Sequence, residues 1–162
     1  MEVYPSSAAK APGSAIPEEM RTYRAWIVWR YEERNGRRTK VPCDPRSGQG
    51  TFASTTDSRT WATFDEAAAA LEGGRYDGLG FVFSSGDPFA GVDLDAGRDP
   101  GTGALEPWAE KIVEALAGYA EVSPSGRGVH VIVRGKVPGR KRGSVEAYSM
   151  ARFFTMTGEA LR

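Results

Sequence analysis

Phe89-Ala90-Gly91-Val92-Asp93-Leu94-Asp95 is a short extended run carrying two acids two positions apart. Alternate side chains of a strand share a face, so Asp93 and Asp95 point one way, Val92 and Leu94 the other. Two carboxylates this close raise each other's pKa unless a cation lies between them. Hard oxygen ligands at this spacing suit magnesium or manganese. The same run also fits a strand edge ending in a polar turn, with Asp95 opening the loop Ala96-Gly97-Arg98-Asp99-Pro100.

Outward from this run, Gly80 to Ser84 reads as a strand paired with Phe89 to Leu94 around the turn Ser85-Gly86-Asp87-Pro88. Trp26 to Tyr31 is β-branched and aromatic, and Asn35-Gly36 predicts a hairpin returning through Arg37 to Val41. Thr63 and Glu66 form a capping-box pair, so a helix is expected from 63 to 71, stopped by Gly73-Gly74. Pro107 to Leu116 has amphipathic helical spacing in Trp108, Ile112, Val113 and Leu116. Ala120 to Ser123, Val129 to Arg134, and a pair of Ser144 to Tyr148 with Arg152 to Thr157 complete the strands. Strands outnumber helices and short turns join most of them, which predicts an α+β fold with a largely antiparallel sheet. Residues 1–16, rich in Ala, Ser, Pro and Gly, read as a disordered arm before a single domain over 17–162.

Of the 162 residues, 40% are hydrophobic and 26% charged, ordinary for a globular domain with a real core. No run is apolar enough to cross a membrane, and the single Cys43 excludes an internal disulfide, so a cytoplasmic location is expected. One cysteine and one histidine exclude an ordinary structural zinc site. Net charge is zero but segregated: Arg127, Arg134, Lys136, Arg140, Lys141 and Arg142 are uninterrupted by any acid, whereas 87–110 hold six acids against Arg98. A basic segment beside an acidic metal pocket suits an enzyme acting on a polyanion; a solvated loop is the plainer reading.

In Val129-His130-Val131-Ile132-Val133-Arg134 the valines share one face, suited to packing on helices, and His130, Ile132 and Arg134 the other. Ser123-Pro124-Ser125-Gly126-Arg127-Gly128 before it is a tight loop whose N–H groups and hydroxyls can cradle phosphate, with Arg127 and His130 adding charge. His130 also fits a satisfied structural histidine. Glu146 faces away from Val145 and Ala147, either into solvent or towards the Asp pair.

The order of these motifs resembles the archaeo-eukaryotic primase superfamily. More closely, Trp26-x-x-Trp29, Lys40-Val41-Pro42, Gly78-Leu79-Gly80-Phe81-Val82, Gly91-Val92-Asp93-Leu94-Asp95, Ser123-Pro124-Ser125-Gly126-x-Gly128-x-His130 and Val145-Glu146-x-Tyr148 with Arg152-Phe153-Phe154-Thr155-x-Thr157-Gly158 resemble bifunctional primase-polymerase domains of phages, plasmids and mobile elements. The turn Tyr148-Ser149-Met150-Ala151 departs from the more polar turn common there.

The resemblance implies an RNA-recognition-motif-like sheet backed by helices, an N-terminal α/β unit, and an active site in the cleft between them. It implies that Asp93, Asp95 and Glu146 hold two magnesium or manganese ions. His130, Ser125 and the Gly126 backbone would contact nucleotide phosphates, with Lys40 and Arg152 as further cations. The expected activity is DNA-directed nucleotidyl transfer to a 3′-hydroxyl in phage- or plasmid-type DNA replication. Nucleoside triphosphates and a single-stranded DNA template are the expected partners, the template held by Arg134, Lys136, Arg140, Lys141 and Arg142 with Tyr31 or Tyr148 for stacking. Such proteins commonly continue into a helical accessory domain or a helicase; with the sequence ending at Arg162, primer extension is expected to exceed initiation. A non-catalytic single-strand-binding module and a metal-dependent nuclease are the alternatives.

Overall fold

Asn35 and Gly36 take φ values of 54° and 73°, the left-handed pair that a two-residue hairpin turn requires. They join β1 (Trp26–Arg34) to β2 (Arg37–Cys43). The computed structural model describes residues 15–161. Around this hairpin it places α1 (Glu18–Arg21), α2 (Phe64–Glu72), β3 (Gly78–Phe83), β4 (Phe89–Leu94), α3 (Pro107–Leu116), β5 (Tyr119–Val122), β6 (Val129–Arg134), β7 (Arg140–Arg142), β8 (Val145–Tyr148) and β9 (Arg152–Met156). The capping box is present: the Thr63 hydroxyl accepts from the Glu66 N–H, and the Glu66 carboxylate accepts from the Thr63 N–H.

The strands form two sheets, ordered β2-β1-β3-β9 and β5-β6-β4-β8-β7, and every strand pair is antiparallel. The α+β expectation matches this arrangement. Two expected hairpins do not form. β3 pairs with β1 and β9, while β4 pairs with β6 and β8, so 84–88 is a crossover between sheets. The connection from β8 to β9 is a second crossover. The first sheet therefore combines N-terminal strands with the C-terminal β9 and is not a separate N-terminal unit.

The crossovers lie side by side and share one fastening. The Asp87 carboxylate accepts from the N–H groups of Ser84 and Phe89 at 2.8 Å each. Lys136 Nζ donates to Ser84 O, Asp87 Oδ1, Phe89 O and Ser149 O at 2.6–3.1 Å. Ser149 Oγ donates to Val137 O and accepts from Val137 N–H. A charge bound by several buried acceptors stabilises the junction because the carbonyls are left neither unpaired nor wet.

On the second sheet Val92, Leu94, Val129 and Val131 pack with Ala109 of α3, supported by Trp108, Ile112 and Val113. The opposite face meets the first sheet through Phe154, whose ring lies against Gly91; a Cβ at Gly91 would stand 2.4 Å from Phe154 Cε2. Ile16, expected in the disordered arm, is 1% exposed and belongs to the core, so the ordered chain begins before residue 17. The rest of that arm, residues 1–14, lies outside the described residues.

Candidate active site

Strand register sets five ionisable side chains in one row across the second sheet. Glu121 of β5 lies opposite His130 of β6, His130 opposite Asp93 of β4, Asp93 opposite Glu146 of β8, and Glu146 opposite Lys141 of β7. Directly opposed residues share a face, so the row looks away from α3 and towards the first sheet. Asp95, two residues past Asp93, continues that face just beyond the strand, its N–H bonded to Ser144 O.

His130 is buried, its ring against Phe154 at a centroid distance of 4.7 Å. Nδ1–H donates to the Thr155 carbonyl of β9 at 3.0 Å, and Nε2 lies 3.5 Å from Asp93 Oδ1. A carbonyl only accepts, so Nδ1 carries the proton and Nε2 is the free nitrogen. Burial holds the imidazole below its usual pKa, against the pull of Glu121.

Asp93 is pushed up to about 6, first by burial and then by the carboxylates of Asp95 and Glu146. Lys40 and Lys141 oppose that rise without cancelling it. Glu146 moves the other way, held low by hydrogen bonds from Lys141 Nζ, at 2.8 Å, and from the Tyr148 hydroxyl. Arg152 stands over the Tyr148 ring, 4.5 Å from its centroid, and also attracts Glu146. Lys40 of β2 is lowered by burial while Asp93 and Asp95 pull it up, so the first sheet contributes a cation to the same face.

Ser125 and Gly126 lie in a loop closed by its own groups. The Gly126 N–H donates to Ser123 O at 2.9 Å, and Ser125 Oγ accepts from Arg127 N–H while lying 3.2 Å from Ser123 Oγ. The expected Gly126 backbone contact to phosphate is therefore already occupied within the turn, because an N–H has one proton to give.

The basic segment departs furthest from expectation. Arg134 pairs with Glu19 of α1. Lys136 is the fastening of the two crossovers, and Lys141 is bound to Glu146. Arg140 and Arg142 alternate with Lys141 and lie opposite Ala147 and Val145, on the α3 face of the sheet. None of the five is an unpaired cation on the carboxylate face.

Glu121 is the residue sequence reading missed. It is fully buried, raised above the usual carboxylate range by burial, and accepts from Thr157 N–H, Gly158 N–H and the Tyr119 hydroxyl. Its signal was a lone acid alternating with Ala120 and Val122 in an apolar strand.

As the side chains stand, no group of three or more His, Cys, Asp or Glu among the described residues is arranged to hold a metal ion. Glu146 explains part of this, since both its oxygens are engaged by Lys141 and Tyr148. The donor chemistry nevertheless fits a hard divalent cation. Three carboxylates crowd one face, and burial together with their repulsion holds Asp93 high despite two lysines.

No family model matches the chain. Over 145 residues it is 37% identical to a protein named DNA Primase-polymerase from Nitratiruptor phage NrS-1, an alignment that covers 85% of this chain. The chain spans 19% of that protein's length. It is thus related to one part of a phage primase-polymerase.

Proposed function

We propose that this chain is a DNA-directed nucleotidyltransferase of the primase-polymerase type, acting in DNA replication. The observation that carries the reading is the row itself: Asp93 set by register between His130 and Glu146, on the sheet face that receives Lys40 from the other sheet. In this reading the active site lies in the cleft where the RNA-recognition-motif-like second sheet meets β9.

Asp93, Asp95 and Glu146 would hold the divalent ions, magnesium or manganese, with Glu146 released from Lys141. When bound, such ions supply charge neutralisation at the reacting phosphorus and the leaving pyrophosphate. The primer 3′-hydroxyl gives up its proton to water as its oxygen bonds to the α-phosphorus, and the bond from that phosphorus to the bridging oxygen of the β-phosphate breaks, releasing pyrophosphate. His130 keeps Nδ1–H on Thr155, so Nε2 donates to a phosphate oxygen only when the ring is protonated, the form a bound triphosphate favours. Lys40, Arg152 and Ser125 flank the same phosphates.

The test is a primed template incubated with labelled nucleotide and either metal. Extension supports the reading. Shortening of the primer would make the carboxylates those of a nuclease, and a mobility shift without chemistry would leave only a binding module.

A further inference from the structure

Arg134, Lys136 and Lys141 of the basic run are engaged by other groups, and Arg140 and Arg142 lie on the α3 face, whereas another element carries cations beside the carboxylates. β3 pairs only with Trp26–Trp29 of β1, so 30–34 and 37–41 extend past the first sheet as a two-stranded ribbon. On one side of this ribbon the β1 charges are tied to one another: Arg30 and Arg34 both bind Glu32, both guanidinium groups flank Phe52, and Arg37 lies opposite Arg34.

The other side differs. It carries Trp29 and Tyr31 from β1, with Lys40 directly opposite Tyr31 and Arg38 directly opposite Glu33. Trp29 is buried, its Nε1–H donating to Leu79 O at 2.9 Å and its ring filling the space where a Cβ on Gly78 would be. Tyr31 stands edge-to-face on it, at 5.0 Å and 83°. The Arg38 guanidinium lies 3.8 Å from the centroid of the Tyr31 ring. Among the described residues neither Arg38 nor Lys40 forms an ion pair. Lys40 is drawn to Asp93 and Asp95, so this side of the ribbon leads to the carboxylates.

We propose that this face of the β1–β2 hairpin holds the single-stranded nucleic acid leading to the active site, a base stacking on Tyr31 and a backbone phosphate pairing with Arg38. The assignment rests on the nucleotidyl-transfer reading. An aromatic ring packed on a buried neighbour stacks any base, and an arginine without a carboxylate partner is free to take a phosphate. When Arg38 swings to a phosphate it uncovers the ring face that a base then occupies. Successive same-face residues lie about 6.7 Å apart along a strand, so Arg38 and Lys40 form a short track of cations ending at the Asp pair.

The test is fluorescence anisotropy of a labelled oligothymidylate with the full chain, run beside the primer-extension assay. Tyr31→Ala should weaken binding about tenfold and Tyr31→Phe about twofold or less, because the phenyl face is what stacks. Arg38→Gln should lower the slope of log affinity against log salt by about 0.7. The Arg140→Gln/Arg142→Gln double variant, on the α3 face, should bind within about twofold of wild type. If the wild-type chain extends primers while Tyr31→Ala and Arg38→Gln bind as it does, the hairpin assignment falls and the transfer reading stands. If the chain binds strands through these residues but extends nothing, the hairpin stands and the transfer reading falls. Absence of any strand binding by the wild type overturns both.

Discussion

His130 and Asp93 face each other across the β4–β6 ladder, Nε2 lying 3.5 Å from Oδ1, while the other ring nitrogen is committed to the Thr155 carbonyl. One nitrogen therefore holds the two sheets together and the other serves the site. The two roles can be separated by substitution.

His130→Asn places an amide N–H near the Nδ1 position and removes the Nε2 side. It should keep the Thr155 bond and most of the stability, while His130→Ala should lose about 1–3 kcal/mol through the unpaired carbonyl and lost packing. Both should weaken triphosphate binding. Calorimetric titration and thermal melting check this, and normal nucleotide affinity in His130→Asn would remove the residue from the phosphate site.

Asp93 carries a stability cost in the metal-free protein. Its folded pKa of about 6 exceeds the unfolded value of about 3.9, so the fold disfavours the ionised form. The cost is absent below the unfolded value, grows as pH rises between the two, and is full above about 6. With its side chain 33% exposed, the shift is worth about 1–2 kcal/mol after solvent screening. Asp93→Asn should therefore melt about 3–6 °C above wild type near neutral pH in chelator, and should lose that advantage in acid. A melting difference that does not change with pH would contradict the burial of Asp93 among neighbouring carboxylates.

Lys136→Met should destabilise the chain by about 2–3 kcal/mol, since it leaves the buried Asp87 carboxylate and three carbonyls without their shared donor. Denaturant unfolding measures this. Loss of strand affinity with unchanged stability would instead return Lys136 to the nucleic-acid surface.

Gly91→Ala should cost about 1–3 kcal/mol, because its Cβ would meet the Phe154 ring at 2.4 Å. Phe154→Leu should recover part of that loss in the double variant, by an interaction term that unfolding curves can resolve. Strict additivity would mean that the sheets do not touch at this point.

Much of this was legible locally. The bounds of α3, β4 and β6 coincide with those read from sequence, because helical spacing and alternation declare themselves over a few residues. Partner choice did not declare itself. Ser84–Pro88 carries ordinary turn chemistry, and Asp87 does cap the local N–H groups. What directs β3 and β4 into different sheets includes Lys136, 49 residues from Asp87 in sequence. The charges of 140–142 were read as a loop, yet they form an edge strand, and only its register separates Lys141 from the two arginines. Of the site, the carboxylates and His130 were legible as types at a spacing. Their alignment with Glu121 and Lys141 comes from cross-strand register, which one strand alone does not specify.

The most direct test of the account is nucleotide incorporation on a primed template in manganese, comparing wild type with Asp95→Asn at matched strand occupancy. The account predicts primer extension by the wild type and none by the variant, with strand affinity retained in both. Equal extension by the two proteins, or extension by neither, would contradict it.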